Sequence, residues 1–234
     1  MDKQALPDPA RRWLLAALVL PTPDQWLEQL RPKPDSYREW FEAIRLDDVR
    51  RVQGLLARGF DPNSVEPERF DTGLILAVRM KSAKVFALLL SDPQVNIDAR
   101  SLNGDTALMI AAYQSDTASA LSLIDKGAEI NRPGWTALHY AAASGNLTII
   151  RRLLDESAFI DAESPNKTTP LMMAARSGHR DAVRLLLDEG ADASLKNEAG
   201  RTAAAFARDQ GFFALAQELD AAVKPVATPA SSAD

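Results

Sequence analysis

The sequence predicts an all-α solenoid of about six helix–turn–helix units that stack side by side. Five threonines recur at intervals of 34, 30, 33 and 33 residues, and each begins an apolar stretch rich in alanine. A second apolar stretch with helical spacing follows after a short break. Because the alanine faces are too small to fill a core alone, a unit needs neighbouring copies. The threonines are Thr72, Thr106, Thr136, Thr169 and Thr202.

A period near 33 residues with threonine at a fixed position is typical of one repeat family. Its signature T-P-L-H-x-A is matched by residues 136–141 with Ala in place of Pro, and by residues 169–174 with Met in place of His. From about Ser36 to Val223 the sequence therefore resembles ankyrin-repeat proteins, in particular small bacterial ones made of little besides repeats. The resemblance implies short β-hairpin fingers between the units and a concave groove that binds other proteins.

Residues 1–35 precede the repeats and form an N-terminal extension. Two arginines stand before an apolar run, Trp13–Leu20, which is too short to cross a bilayer because a span takes about 20 residues. The stretch at residues 11–20 resembles the basic and apolar parts of an export signal, although no A-x-A arrangement follows it. A short helix packed over the first repeat fits the same pattern. The protein is therefore expected in the cytoplasm or in the periplasm. If it is exported, the resemblance implies an accessory factor that supports another enzyme such as a catalase.

The repeat domain, residues 36–223, begins with a divergent unit. Ser36 with Glu39 three residues later predicts a capping box at the start of its first helix. Gly59 is placed to end the second helix in a left-handed conformation. A long finger with two prolines follows at residues 61–70. In the second repeat one extra residue accounts for the interval of 34.

The link between the third and fourth repeats is the least regular. Only residues 132–135 separate Asn131 from Thr136, about three residues fewer than in the other fingers. We expect a clipped finger that leaves a notch. In the fourth repeat Ser157 occupies a glycine position, where a left-handed backbone costs about 1 kcal/mol, so this corner should be loose. The sixth repeat is adapted as an end repeat, and residues 224–234 are expected to form a disordered tail.

Composition excludes several classes of function. A net charge of −5 and a pI near 5.2 argue against nucleic-acid binding, which needs a basic face. With no cysteine, the chain has neither a disulfide nor a thiolate metal site. No P-loop, dinucleotide-binding, zinc-protease or serine-hydrolase motif occurs, and His139 and His179 both fall on repeat positions with structural roles. We expect neither an enzyme nor a cofactor.

The resemblance places partner-binding residues just before each threonine and just after the paired alanines. Mixed charge at these positions suggests a folded, or an acidic and apolar, partner protein. The chain is expected to be a monomer without a membrane span. Asp71 and Arg201 hold such positions in the second and sixth repeats. The candidate binding residues are Trp135, Tyr113, Gln114, Arg100, Asn103, Asp105, Arg132, Thr168, Arg176, Arg79 and Met80.

Trp135 is the most distinctive of these candidates, because tryptophan anchors many protein interfaces. Tyr113 lies one repeat away, so the two aromatic side chains could form one binding surface. A second interpretation is that Trp135 folds over the shortened link and shields Pro133 and Leu138. Both roles favour a large aromatic side chain, so the sequence leaves both open.

Overall fold

The computed structural model describes residues 35–223, which form twelve α-helices. The helices pair in chain order into six repeats, each with a first and a second helix. Their bounds are α1 (Asp35–Arg45), α2 (Val49–Ala57), α3 (Gly73–Met80), α4 (Ala83–Ser91), α5 (Ala107–Tyr113), α6 (Thr117–Asp125), α7 (Ala137–Ser144), α8 (Leu147–Asp155), α9 (Pro170–Ser177), α10 (Arg180–Asp188), α11 (Ala203–Asp209) and α12 (Phe213–Ala222).

The chain divides into two compact units, Met1–Glu39 and Trp40–Asp234. Of the first unit, the structure describes only the residues that begin α1. This helix starts at Asp35, so Ser36 lies within its first turn and is not the N-cap that the capping-box prediction requires. The predictions for the N-terminal extension and for the tail at residues 224–234 lie outside the described residues.

Within the second unit, the repeats stack in a single row. The first helices α3, α5, α7, α9 and α11 each pack on the next in the series, and the second helices α2, α4, α6, α8 and α10 do the same. Alanine and glycine allow this close approach. A Cβ atom on Gly73 of α3 would lie 3.0 Å from the indole of Trp40 in α1. The predicted all-α solenoid of helix–turn–helix repeats is thereby confirmed.

The repeated threonines cap the first helices as expected. Four of the five accept a hydrogen bond on the side-chain oxygen from the backbone N–H three residues later, at 3.3–3.5 Å. This bond satisfies a donor that the helix leaves free. Thr136 differs, since its hydroxyl instead lies 2.9 Å from Nδ1 of His139. The four regular caps are Thr72, Thr106, Thr169 and Thr202.

The turns between paired helices require left-handed backbone. Gly145 and Gly178 have φ of 71° and 74°, and a ring from the next repeat covers each of them. A Cβ atom on Gly145 would lie 2.6 Å from Cγ of His179, so no side chain fits there. Ser157 is left-handed as predicted, with φ of 63°. The looseness expected at that corner stays a prediction.

The fingers differ from the expected β-hairpins. Within residues 35–223 the structure shows no β-strand, and the finger before α3 contains one isolated antiparallel bridge, between Val65 and Thr72. Three other fingers are tight turns in which a backbone N–H donates to the carbonyl four residues later, at 2.9–3.0 Å. A turn of this length leaves too few residues for a ladder. The donors are Ser101, Ser164 and Asn197.

Candidate functional site

The first helices of the second, third and fourth repeats border a cavity of about 240 Å³, which we call the first-helix cavity. Met109 and Ile110 of α5 are buried and supply apolar surface. Four of the candidates predicted from the sequence line it, together with a tyrosine that the prediction missed. These five are Arg79, Asp105, Tyr113, Gln114 and Tyr140.

Three aromatic side chains form a continuous row beside this cavity. The rings of Tyr113 and Tyr140 meet edge to face, with centroids 6.0 Å apart, and the rings of Tyr140 and Trp135 are 6.3 Å apart. Tyr113 is exposed, whereas Tyr140 and Trp135 are half-buried. Edge-to-face and tilted arrangements are those that aromatic pairs favour. The two aromatic residues predicted from the sequence thus belong to one surface because Tyr140 joins them. We call these three side chains the aromatic row.

Tyr140 is held by an acidic side chain from the preceding finger. Its hydroxyl donates to Oδ1 of Asp105 at 2.8 Å. Burial, followed by the hydrogen bond to Asp105, raises the pKa of Tyr140. Tyr140 therefore stays a neutral donor. Among the described residues, no lysine or arginine forms an ion pair with Asp105.

Gln114 contributes a second acceptor to the walls of the first-helix cavity. Its Nε2 donates to the backbone carbonyl of Arg79 at 3.0 Å. Since a carbonyl oxygen can only accept, this bond fixes which end of the amide is which. Oε1 of Gln114 is then buried without a hydrogen-bond partner among the described residues.

Arg79 forms an ion pair with an acidic residue of its own repeat. Its Nε and Nη2 donate to the two oxygens of Asp71, at 2.7 and 3.1 Å. The Asp71 side chain is fully buried, so the expected partner-facing position at residue 71 is wrong. The hydrogen bond to Asp71 raises the pKa of Arg79 against the opposing effect of burial. This pair joins the finger to α3.

Two further candidates lie inside the protein, contrary to the expected exposure. The Arg132 side chain is only 4% exposed, with its Nη2 3.5 Å from Glu129 and its Nη1 without a partner among the described residues. Burial, reinforced by the charge of Arg100, lowers the pKa of Arg132. Thr168 is buried as well, and its backbone N–H donates to Oγ of Ser164 at 2.9 Å. Sequence position alone does not separate such residues from exposed ones, because neighbouring fingers decide their burial.

Four other candidates are exposed but do not line the first-helix cavity. Their part in binding stays a prediction. They are Met80, Arg100, Asn103 and Arg176.

His139 is a structural residue, as its repeat position predicts. Its ring is fully buried, and Trp135 packs edge-on against it with centroids 5.2 Å apart. Nε2 lies 2.9 Å from the carbonyl oxygen of Thr168, so this nitrogen carries the proton. Nδ1 then accepts from the backbone N–H and the hydroxyl of Thr136. The second role predicted for Trp135, to shield Pro133 and Leu138, stays a prediction.

The described residues hold no group of three or more acidic, histidine or cysteine side chains that could bind a metal ion. None of the helices in that range is long and apolar enough to cross a membrane. A larger cavity of about 490 Å³ lies between α4 and α6, but alanine and serine dominate its walls. The first-helix cavity has the more specific set of polar and aromatic groups.

The family model described as "Ankyrin repeats (3 copies)" matches residues 40–133 and 122–197. The chain belongs to the ankyrin-repeat family. Its ankyrin repeats are 31% identical over 159 residues to human SH3 and multiple ankyrin repeat domains protein 2, covering 66% of this chain and 9% of that protein. They are 28% identical over 124 residues to palmitoyltransferase AKR1 of Lachancea kluyveri, covering 50% of this chain and 16% of the relative. The chain thus spans less than a fifth of either relative.

One solved structure resembles the ankyrin-repeat chain over most of its length. It is a chain of the complex between the predatory endopeptidase Bd0816 of Bdellovibrio bacteriovorus and the immunity protein Bd3460. The TM-score is 0.69 at 27% sequence identity, and the match covers 79% of this chain and 97% of that chain. A chain of similar fold therefore occurs in a bacterial complex of two proteins.

Proposed function

We propose that this chain is a non-catalytic module that binds a partner protein through the aromatic row and the adjoining first-helix cavity. The observation that carries this proposal is the continuity of Tyr113, Tyr140 and Trp135 across two successive repeats. Tyrosine and tryptophan dominate binding hot spots because they bury a large area with few rotatable bonds. Tyr113 leaves 63% of its surface exposed, which is ample for a contact.

The row also has the supports that a binding surface needs. Asp105 fixes the Tyr140 hydroxyl, and the buried imidazole of His139 supports the indole of Trp135. Side chains held in this way lose little conformational entropy when a partner binds. The ankyrin family and the two-protein complex described above support a protein as the ligand.

The proposal is tested by capturing partners from host extract with the full chain as bait. Tyr113→Ala and Trp135→Ala should each lose the captured partner. Phe159→Ala, which removes an aromatic side chain of similar exposure from another finger, should retain it. Thermal melting of each variant separates lost binding from lost fold. Unchanged capture by both aromatic-row variants would refute the proposal.

A second candidate is that the partner is an enzyme which this chain supports or restrains. The resemblance to a chain in the endopeptidase–immunity protein complex favours it. The narrower hypothesis of an exported factor that supports a catalase depends on residues 11–20, outside the described part of the chain. N-terminal sequencing of the protein from separated cytoplasm and periplasm tests export, and an intact Met1 found only in the cytoplasm would exclude it.

A further inference from the structure

In two repeats, the residue just before the repeated threonine forms an ion pair with a residue of the first helix. This second residue lies seven positions after the threonine. In the second repeat, Asp71 pairs with Arg79 at 2.7 Å. In the sixth repeat the charges are reversed, and Arg201 pairs with Asp209. In these two repeats the fold brings the two positions close enough for opposite charges to pair.

The third repeat has the acidic residue of such a pair without the basic one. Asp105 precedes Thr106, and the residue seven positions after Thr106 is Tyr113. The third repeat therefore lacks the basic residue that Arg79 provides in the second repeat. Asp105 lies in the wall of the first-helix cavity, where Tyr113 and Tyr140 also lie. Tyr113 holds the position that Arg79 has in the second repeat, and the ring of Tyr140 lies edge to face with it.

The polar groups around the first-helix cavity favour a positive occupant. Arg79 is the only cationic side chain in its described lining, and two of its nitrogens are bound to Asp71. Taken together, Arg79, Asp71 and Asp105 leave one net negative charge. Gln114 Oε1, buried without a partner, adds acceptor capacity to the same wall.

We propose that the first-helix cavity receives a basic side chain, arginine or lysine, from the partner protein. The proposal rests on the protein-binding function proposed above and names the chemistry of the contact. The guanidinium or ammonium group donates to Asp105, and its positive charge lies against the rings of Tyr113 and Tyr140. Cations are attracted to aromatic faces, and more strongly where water is excluded. Arginine fits better than lysine, because a planar guanidinium can stack on a ring while it donates to a carboxylate.

This inference departs from the sequence-based expectation of an acidic and apolar partner. An acidic side chain placed in the first-helix cavity would face Asp105, and the one cation in the described lining, Arg79, already donates to Asp71 through Nε and Nη2. Like charges at close range in a partly buried site cost free energy, so acidic partners are disfavoured at this point.

The test uses the full chain with labelled methionine and isoleucine methyl groups. The signals of Met109 and Ile110, which line the first-helix cavity, are followed by NMR during titration with single amino-acid probes. The probes are N-acetyl-arginine amide, the neutral isostere N-acetyl-citrulline amide and N-acetyl-glutamate amide. We expect the arginine probe to bind roughly three- to tenfold more tightly than the citrulline probe, the range set by one cation–π contact. The glutamate probe should leave both methyl signals unchanged.

Asp105→Asn removes the charge but keeps an acceptor for the Tyr140 hydroxyl, so it should lower the preference for arginine over citrulline to the part that the rings of Tyr113 and Tyr140 supply. Asp155→Asn removes an equal charge from an exposed position on α8 and should leave the preference intact. Equal binding of arginine and citrulline by the unmodified chain would overturn this inference, whatever the variants do. If Tyr113→Ala and Trp135→Ala still abolish partner capture in that case, the proposed function stands without it.

Discussion

Nε2 of His139 lies 2.9 Å from the backbone carbonyl oxygen of Thr168, a residue of the next repeat. The same imidazole accepts from the N–H of Thr136, at the start of its own helix. One buried side chain therefore caps a helix and joins two repeats. The contact with Thr136 requires a neutral ring, because a proton on Nδ1 would face the Thr136 N–H donor.

This arrangement predicts a dependence of stability on pH. Burial lowers the pKa of His139 from 6.5 to about 4. Between these values the unfolded chain binds a proton that the folded chain does not, so the free energy of unfolding falls as the pH is lowered from 6.5 towards 4. The difference corresponds to about 3 kcal/mol. Urea unfolding at several pH values between 4.5 and 7.5 measures the slope.

The matched variant is His139→Met, since methionine holds this position in the third and fifth repeats. There the sulfur atoms of Met109 and Met172 accept from the threonine N–H at 3.5 Å. The variant should fold but lose most of the slope between pH 4.5 and 6.5. If the unmodified chain and the variant have the same slope, then His139 is not the source of the pH dependence.

Gly145→Ala should destabilise the protein by more than backbone conformation alone accounts for. Its φ of 71° costs an alanine about 1 kcal/mol. The added Cβ would also lie 2.6 Å from Cγ of His179, and such overpacking costs about 1–3 kcal/mol more. Gly200 has the same φ of 71° with nothing within 4 Å, so Gly200→Ala isolates the conformational part. Thermal melting measures the stability of both variants. If the two variants lose the same amount of stability, then His179 can move aside.

Arg79→Met should be strongly destabilising because it leaves a buried carboxylate without its partner. The Asp71 side chain is 0% exposed, and breaking a buried pair costs about 3–5 kcal/mol. Arg176 occupies the corresponding position of the fifth repeat and is exposed, so Arg176→Met is the control. Adding Asp71→Asn to Arg79→Met should recover part of the loss. Comparable denaturation midpoints for the two arginine variants would contradict a structural role for Arg79.

Much of the fold follows from the phase of the threonines. A hydroxyl before an alanine-rich stretch predicts a capped first helix, and the shared spacing predicts that the helices stack. The form of the fingers was not predictable in this way, because it depends on hydrogen bonds between neighbouring turns. For example, the backbone N–H of Leu102 donates to the carbonyl oxygen of Arg69 at 2.6 Å.

The candidate site was predicted only in part. Asp105, Tyr113 and Gln114, chosen from their positions, line the first-helix cavity, whereas Asp71 and Arg132 are buried. Tyr140 was missed because it lies within the repeated signature, where the residue looks like core. The fourth repeat has a tyrosine at this position, whereas the second, third, fifth and sixth repeats have Leu, Ile, Met and Phe. A buried tyrosine hydroxyl needs a hydrogen-bond partner. That difference between repeats was the available clue.

Tyr140→Phe should cost about 1–2 kcal/mol, because it leaves Oδ1 of Asp105 without the donor that now lies 2.8 Å away. Tyr113→Phe removes a hydroxyl from an exposed ring and should change the free energy of unfolding by less than about 0.5 kcal/mol. Urea titrations of both variants make the comparison. Equal effects would mean that water replaces the Tyr140 hydroxyl at no cost.

Arg132→Met tests whether a buried charge on the shortened finger stabilises the fold. The side chain is 4% exposed, its Nη1 has no partner among the described residues, and its contact with Glu129 is 3.5 Å long. Desolvation of a charge so poorly paired outweighs the attraction it gains, so an apolar side chain of similar length should leave stability unchanged or raise it by about 1 kcal/mol. The nearby, exposed Arg100 supplies the control, since Arg100→Met removes the same charge without filling buried space. A loss of more than about 2 kcal/mol in Arg132→Met alone would mean that the guanidinium stabilises the finger through contacts that a methionine cannot replace.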